Sequence, residues 1–136
     1  LEVIALNRQM GQHTLALLDL DPTGAGTGKQ KPMAPADAVV SMNLMIEKAV
    51  ENIEEMDVDD NLSRLKKQSL EEIIAMESCD VSVVLCSDMG TVQQKMTYTN
   101  LAKLSEYQGG RMNCLVFPAS TSDVEEKALL RWLKEE

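Results

Sequence analysis

The chain has 136 residues, of which 44% are hydrophobic and 3% aromatic, and its formal net charge is −9. This length is typical of about one domain, and a strongly acidic surface repels both nucleic-acid phosphates and anionic lipids. Since no signal peptide or long apolar span is present, we expect a soluble cytoplasmic protein that binds neither nucleic acid nor membrane.

The N-terminal segment predicts a helix followed by a strand. Residues 1–10 carry apolar side chains at helical spacing, and Gly11 follows as a stop. The segment HTLALLDL, residues 13–20, is apolar on both faces, which is typical of a strand inside a sheet. His13 is expected to bond a neighbouring carbonyl and fix the strand's register. Because the chain begins partway through a helix without Met, we expect it to be part of a longer protein.

A loop is predicted at residues 21–32, which contain three glycines and two prolines. Its GAGTGK stretch has three residues between Gly24 and Gly28, whereas a phosphate-binding loop has four. The residue after Lys29 is Gln30, and magnesium binding needs Ser or Thr there. We therefore expect a flexible insertion rather than a nucleotide site.

The middle of the chain predicts two helices. The first covers residues 35–56, begins at Pro35, and turns an apolar stripe inward: Val39, Met42, Ile46, Ala49, Val50 and Ile53. Residues 57–68 are polar and predict a surface connection or a short extra helix. Ser69 and Glu72 have the spacing of a capping box, so a further helix is expected to begin there.

The C-terminal half predicts strands and helices in alternation. Residues 80–87 and 93–100 form two strands joined by a turn at Gly90, and a short helix capped by Asn100 follows. Residues 112–119 predict the last strand. The final helix, residues 120–136, is capped by Ser122 and is expected to bury Val124, Ala128, Leu129, Trp132 and Leu133. The fold class is α/β, with helices packed on a mixed sheet of four to five strands.

The residues alone do not predict catalysis. One histidine and three scattered cysteines cannot form a metal site, and no nucleophile elbow is present. Cys79, Cys86 and Cys114 lie in or beside apolar runs, where a thiol most often behaves as a small buried hydrophobe. We therefore expect no catalytic residue and no metal ligand in this chain.

One family resemblance is specific. The stretch NRQMGQHTLALLDLDP, residues 7–22, followed by MAPADAVVSMNLMIEK, residues 33–48, resembles the middle of the diphthine synthases. These are S-adenosylmethionine-dependent methyltransferases of diphthamide biosynthesis. Their C-terminal domain opens with an Asn/Arg-rich helix end, Gly, any residue, and His-Thr-Leu-x-Leu-Leu-Asp. Further along, Gly90 and Gln94 keep the family's Gly-x-x-x-Gln spacing, and residues 115–118 resemble its last strand.

The resemblance implies the second domain of a tetrapyrrole-methylase-like fold, whose two α/β domains hold the methyl donor between them. Residues 1–136 would form that C-terminal domain, and the first domain, with its glycine-rich donor loop, would lie outside the chain. By position, Leu18 resembles the leucine that packs on the donor's adenosine, and Met89 lines the same pocket. Asn113 stands where the family usually has His.

The resemblance also implies partners. The acceptor would be the modified histidine of translation elongation factor two, and the enzyme would be a homodimer. Two alternatives remain: a non-catalytic dimerisation or partner-docking module, and a corrin-ring methylase of the same fold. The HTLALLDLD run argues against the corrin-ring methylase, since among methylases of this fold that opening resembles the diphthine synthases and not the corrin-ring enzymes.

Overall fold

The computed structural model describes residues 1–18 and 33–133. In chain order, its helices and strands are α1 (Glu2–Gln9), β1 (Thr14–Leu17), α2 (Pro35–Asn52), α3 (Asn61–Ile74), β2 (Ser82–Ser87), β3 (Lys95–Asn100), β4 (Asn113–Phe117) and α4 (Asp123–Trp132). The predicted loop at 21–32, the end of the predicted first strand and the last three residues of the final helix lie outside the described residues.

The four described strands form one sheet in the order β1-β4-β2-β3, and every neighbouring pair is antiparallel. The α/β class is confirmed, but the expected mixed sheet is wrong for these strands. β1 and β2 run in the same direction, yet β4 lies between them. β1 is also an edge strand within the described sheet, rather than an internal one. An apolar pattern on both faces of a strand indicates what its two faces contact. It does not indicate whether the strand has one strand neighbour or two.

The core lies between one face of the sheet and the helices α1, α2 and α3. Alternate strand residues point into it, as the two-residue period of a strand requires. Its members are buried together: Ile4, Ala38, Met42, Leu70 and Ile73 from the helices, and Val83, Leu85, Leu115 and Phe117 from the sheet. The opposite face of β1 is exposed, with Leu15 and Leu17 at 61% and 57%.

The turn from α1 into β1 explains much of the NRQMGQHT segment. Gly11 adopts a positive φ of 74°, and its amide donates to the Arg8 carbonyl at 3.1 Å. The Gln12 amide donates to the Asn7 carbonyl at 2.8 Å, which completes a Schellman motif. The Asn7 side chain then donates to the Thr14 hydroxyl at 3.1 Å. The predicted stop at Gly11 is confirmed, and Asn7 ties the helix to the strand.

The start of α3 differs from the prediction. Asp60 caps this helix, accepting a hydrogen bond from the Ser63 amide at 2.7 Å. Ser69 lies inside the helix, buried, and its hydroxyl donates to the Leu65 carbonyl at 2.8 Å. The capping-box pattern at Ser69 is therefore accidental, because an acidic residue upstream had already satisfied the helix start.

The segment after β3 is also shorter than predicted. Asn100 ends β3, and its side-chain oxygen accepts from the Lys103 amide at 3.0 Å. This local bond supports a single 3₁₀ turn at Leu104–Glu106 in place of a helix. Two further 3₁₀ turns occur, at Ile53–Glu55 and Ser78–Asp80.

The apolar stripes of α2 and α4 are confirmed only in part. In α2 the stripe faces the core except at Val50, which is 54% exposed. In α4, none of the five predicted residues is buried: Ala128, Leu129 and Trp132 are half-buried, and Val124 and Leu133 are 77% and 47% exposed, which contradicts the prediction. The main contact of α4 with the sheet is with β3, where Leu133 forms a bridge with Tyr98. The apolar face of α4 is therefore wider than the surface it covers.

Candidate functional site

The three predicted cofactor-binding residues lie at one end of the sheet, which we call the site end. It is formed by the carboxyl ends of β1 and β2 and the amino end of β4. The Leu18 amide donates to the Asn113 carbonyl at 3.1 Å, and Ser87 pairs with Asn113 across β2 and β4. Met89 follows two residues after Ser87. Leu18 and Met89 therefore flank Asn113 from opposite sides.

Asn113 is the most highly bonded side chain of the site end. It is 4% exposed, and its carbonyl oxygen accepts from the Ser87 hydroxyl at 3.1 Å and the Gly110 amide at 2.8 Å. Its amide nitrogen donates to the Gly110 carbonyl at 3.1 Å and the Met33 carbonyl at 3.4 Å. An asparagine side chain has two donors and two acceptor sites, so every one is used. Asn113 thus joins β2, β4 and the segment before α2.

Asp88 fixes the turn that carries Met89. Its φ is 50°, an uncommon value for a residue with a side chain. Its amide donates to the Met112 carbonyl at 2.8 Å, and its carboxylate accepts from the Met112 amide at 3.0 Å. A Cβ at Gly110 would lie 2.6 Å from the Asp88 carboxyl carbon, so only glycine permits this approach. The roles of Asp88 and Gly110 were not predicted from the sequence, although the Asp-x-Gly spacing of Asp88 and Gly90 after a strand is a turn signal.

The Gly-x-x-x-Gln spacing has a direct structural reason. The Gly90 amide donates to the Gln94 side-chain oxygen at 3.1 Å, and Gly90 has a φ of 84°. The Gln94 amide donates to the Thr91 carbonyl at 3.2 Å. The turn is thus held by hydrogen bonds within residues 90–94. Met89, which precedes it, is 47% exposed.

Leu18 is more enclosed than Met89. Its side chain belongs to the core on the helix-covered face, and the residue is 8% exposed. Its carbonyl accepts from the Met33 amide at 2.8 Å. The site end therefore has one exposed apolar side chain, Met89, on the β2 side of Asn113 and one buried apolar side chain, Leu18, on the β1 side.

His13 lies at the opposite end of the sheet. Its Nδ1 accepts a hydrogen bond from the Ala119 amide at 2.9 Å, and its Nε2 lies 3.1 Å from Glu125 Oε1. The predicted hydrogen bond from His13 to a carbonyl is wrong, because Nδ1 accepts a hydrogen bond from an amide instead. The hydrogen bond from the Ser122 amide, followed by the bond to His13, lowers the pKa of Glu125. A charged Glu125 makes Nε2 the donor, and the ring fastens the start of α4 to β1.

The cysteines occupy three different environments. Cys86 is buried, as predicted, whereas Cys114 is only half-buried and Cys79 is exposed in the turn before β2. Among residues 1–18 and 33–133, no group of His, Cys, Asp and Glu side chains could hold a metal ion. No helix in this part of the chain is long and apolar enough to cross a membrane.

Comparison with known proteins identifies the fold. No protein-family model matches the sequence, and no curated protein sequence matches it significantly. Three solved structures do match. A protein from Entamoeba histolytica that is provisionally named a diphthine synthase aligns with a TM-score of 0.64 at 22% identity, over 98% of this chain and 44% of that one.

The other two structures agree. A diphthine synthase aligns with a TM-score of 0.57 at 22% identity, over 96% of this chain and 38% of that one. A conserved hypothetical protein from Aeropyrum pernix K1 aligns with a TM-score of 0.57 at 25% identity, over 96% and 37%. The chain spans less than half the length of each. It therefore has the α/β fold of the matching part of these three structures.

Proposed function

We propose that this chain supplies one wall of an S-adenosylmethionine site in a diphthine-synthase-like methyltransferase. The observation that carries the proposal is the convergence of Leu18, Met89 and Asn113 at the site end. The carboxyl ends of β1 and β2 both lie here, and turns that follow strand ends expose side chains and backbone groups to a ligand. Sequence positions 95 residues apart meet here, in the fold of a methyltransferase domain.

In this proposal the three residues have different tasks. Met89 is the exposed apolar side chain that packs on the adenosine, and burying it gains roughly 25 cal/mol per Å² of apolar surface. Leu18 lies on the other side of Asn113 and supports the site end from the core. Asn113 holds both strands in place, since its side chain has no donor or acceptor left for a ligand. The glycine-rich wall would come from a first domain such as the family has.

The bound donor would supply an electrophilic methyl group. This chain would orient the donor, so its contribution to catalysis would be positioning. We extend the proposal to the family's acceptor, the modified histidine of translation elongation factor two. No described residue of the site end is assigned an acid or base role.

Calorimetric titration with S-adenosylmethionine tests the proposal in a protein that joins this chain to the proposed first domain, because the chain supplies only one wall of the site. Met89→Asp should weaken binding at least tenfold, because it places a charge against an apolar ligand surface. Val92→Asp is the matched control, since it makes the same change in the same turn at a side chain that is 95% exposed. Leu18 is less suitable for substitution because it belongs to the core. Equal affinity in both variants would overturn the proposal.

A second function is favoured by one observation. Leu15 and Leu17 are exposed on the edge strand β1, on the face turned away from α1–α3. Exposed apolar side chains on an edge strand are typical of a contact surface. A dimerisation module would give a dimer mass by light scattering, and Leu15→Lys with Leu17→Lys would give a monomer. Dimerisation without heat on donor titration would favour this function over the first.

A further inference from the structure

Two thiols face each other across the middle of the sheet. Cys86 on β2 and Cys114 on β4 are directly opposite in register, so both side chains project from the same face. The two outer strands add apolar residues to this row: Leu17 of β1 lies opposite Cys114, and Met96 of β3 lies opposite Cys86.

The backbone separation fits a disulfide. The Asp88 amide donates to the Met112 carbonyl, so these opposite residues form a hydrogen-bonded pair. Hydrogen-bonded and non-hydrogen-bonded pairs alternate along antiparallel strands. The Cys86–Cys114 pair lies two positions from the Asp88–Met112 pair, so it is also a hydrogen-bonded pair. The Cα atoms of such pairs lie about 5.5 Å apart. Disulfides span Cα separations of about 4.4–6.8 Å, which this pair meets, but Cβ separations of only about 3.5–4.5 Å. Opposite Cβ atoms of a hydrogen-bonded pair lie about 5.5 Å apart, so closure must draw the two strands together by about 1 Å. Strained disulfides are the more easily reduced ones, which is consistent with a reversible bond.

We propose that Cys86 and Cys114 form a reversible cross-strand disulfide when the protein meets an oxidised small-molecule disulfide such as oxidised glutathione. This modification site is independent of donor binding. It would lock β2 to β4 one residue from the Ser87 and Asn113 pair.

The reaction has two exchange steps. The Cys114 thiolate attacks one sulfur of oxidised glutathione, forming a mixed disulfide and expelling one glutathione thiolate. The Cys86 thiolate then attacks the Cys114 sulfur and expels the second glutathione thiolate. Two protein thiols are oxidised, one glutathione disulfide is reduced, and the two protons pass to the leaving thiolates.

The order of attack follows from the surroundings. Cys114 is half-buried beside Leu17, which is 57% exposed, so the oxidant has access from the β1 side. Cys86 is 8% exposed, and burial, followed by the proximity of Cys114, raises its pKa to about 11. Cys86 is therefore the resolving thiol. Below that pKa its thiolate fraction, and with it the closure rate, should rise about tenfold per pH unit.

The test uses the chain with Cys79→Ser, because Cys79 is exposed and would form its own adduct. Cys79 lies before β2, whose first residue, Ser82, is four positions from Cys86, or about 13 Å along the strand, so its removal leaves the Cys86–Cys114 pair in place. After treatment with oxidised glutathione, intact-mass measurement should show a loss of two hydrogen atoms. Non-reducing proteolysis should join the peptides that contain Cys86 and Cys114, and dithiothreitol should separate them.

The single variants provide the controls. In the same background, Cys86→Ala should stop at one glutathione adduct on Cys114, and Cys114→Ala should remain largely unmodified. Because Cys86→Ala can destabilise the sheet, the peptide map of the Cys79→Ser chain decides the question without it. A persistent glutathione adduct in that chain, or full recovery of both free thiols, would overturn the proposal.

Discussion

Asn113→Ala should be strongly destabilising. The substitution removes the acceptor of the Ser87 hydroxyl, whose residue is 6% exposed, and the acceptor of the Gly110 amide. Each polar group left without a partner costs about 1–3 kcal/mol, so the loss for these two groups should lower the free energy of unfolding by about 2–6 kcal/mol. A domain of this size has about 5–15 kcal/mol in total, so the variant should fold with a small margin.

Urea denaturation followed by circular dichroism measures this change, with the slope of the transition unchanged. The matched control is Asn52→Ala, since Asn52 is exposed and donates one bond to the Lys48 carbonyl at 2.9 Å. That control should stay within about 0.5 kcal/mol of the parent. A double-mutant cycle with Ser87→Ala should give a coupling of about 1 kcal/mol. If Asn113→Ala matched its control, our assignment of Asn113 as the joint of the site end would be wrong.

Three further predictions concern the two ends of the sheet. Gly110→Ala should lower the melting temperature and displace the turn, because its Cβ would collide with the Asp88 carboxylate; thermal denaturation showing no change would contradict this. His13→Ala should cost about 1 kcal/mol through loss of the Ala119 bond, and hydrogen exchange should quicken at the start of α4. The Glu125 pKa is lowered from its ordinary 4.5, so its contribution to stability is present above pH 4.5 and is lost as pH falls through the lower value. Glu125→Gln should therefore flatten stability against pH in that acid range, and an unchanged profile would refute it.

The sequence predicted the local features well where one short-range signal decided the outcome. Gly11 ended α1, and Ser122 with Glu125 capped α4, because both signals depend on residues within one turn. Ser69 misled for the same reason, since its pattern matched a cap but Asp60 stood earlier in the chain. Local signals compete, and the residue order alone does not rank them.

Features that depend on distant partners were predicted less well. The apolar run of β1 did not reveal that the strand is an edge, because the pairing partner is about 100 residues away. The bonds of Asn113 to Ser87 and Met33 and the approach of Asp88 to Gly110 are likewise long-range. The three site residues were placed through resemblance, and only the three-dimensional fold shows that they lie together.

The most direct test is the location of the donor on this chain. We would record amide chemical shifts of the isotopically labelled protein during titration with S-adenosylmethionine. The account predicts shifts at Leu18, Met89 and Met112, with His13 and Ala119 at the opposite end unchanged. Shifts confined to the His13 end, or none at saturating donor, would contradict the claim that the site end forms a wall of the donor site.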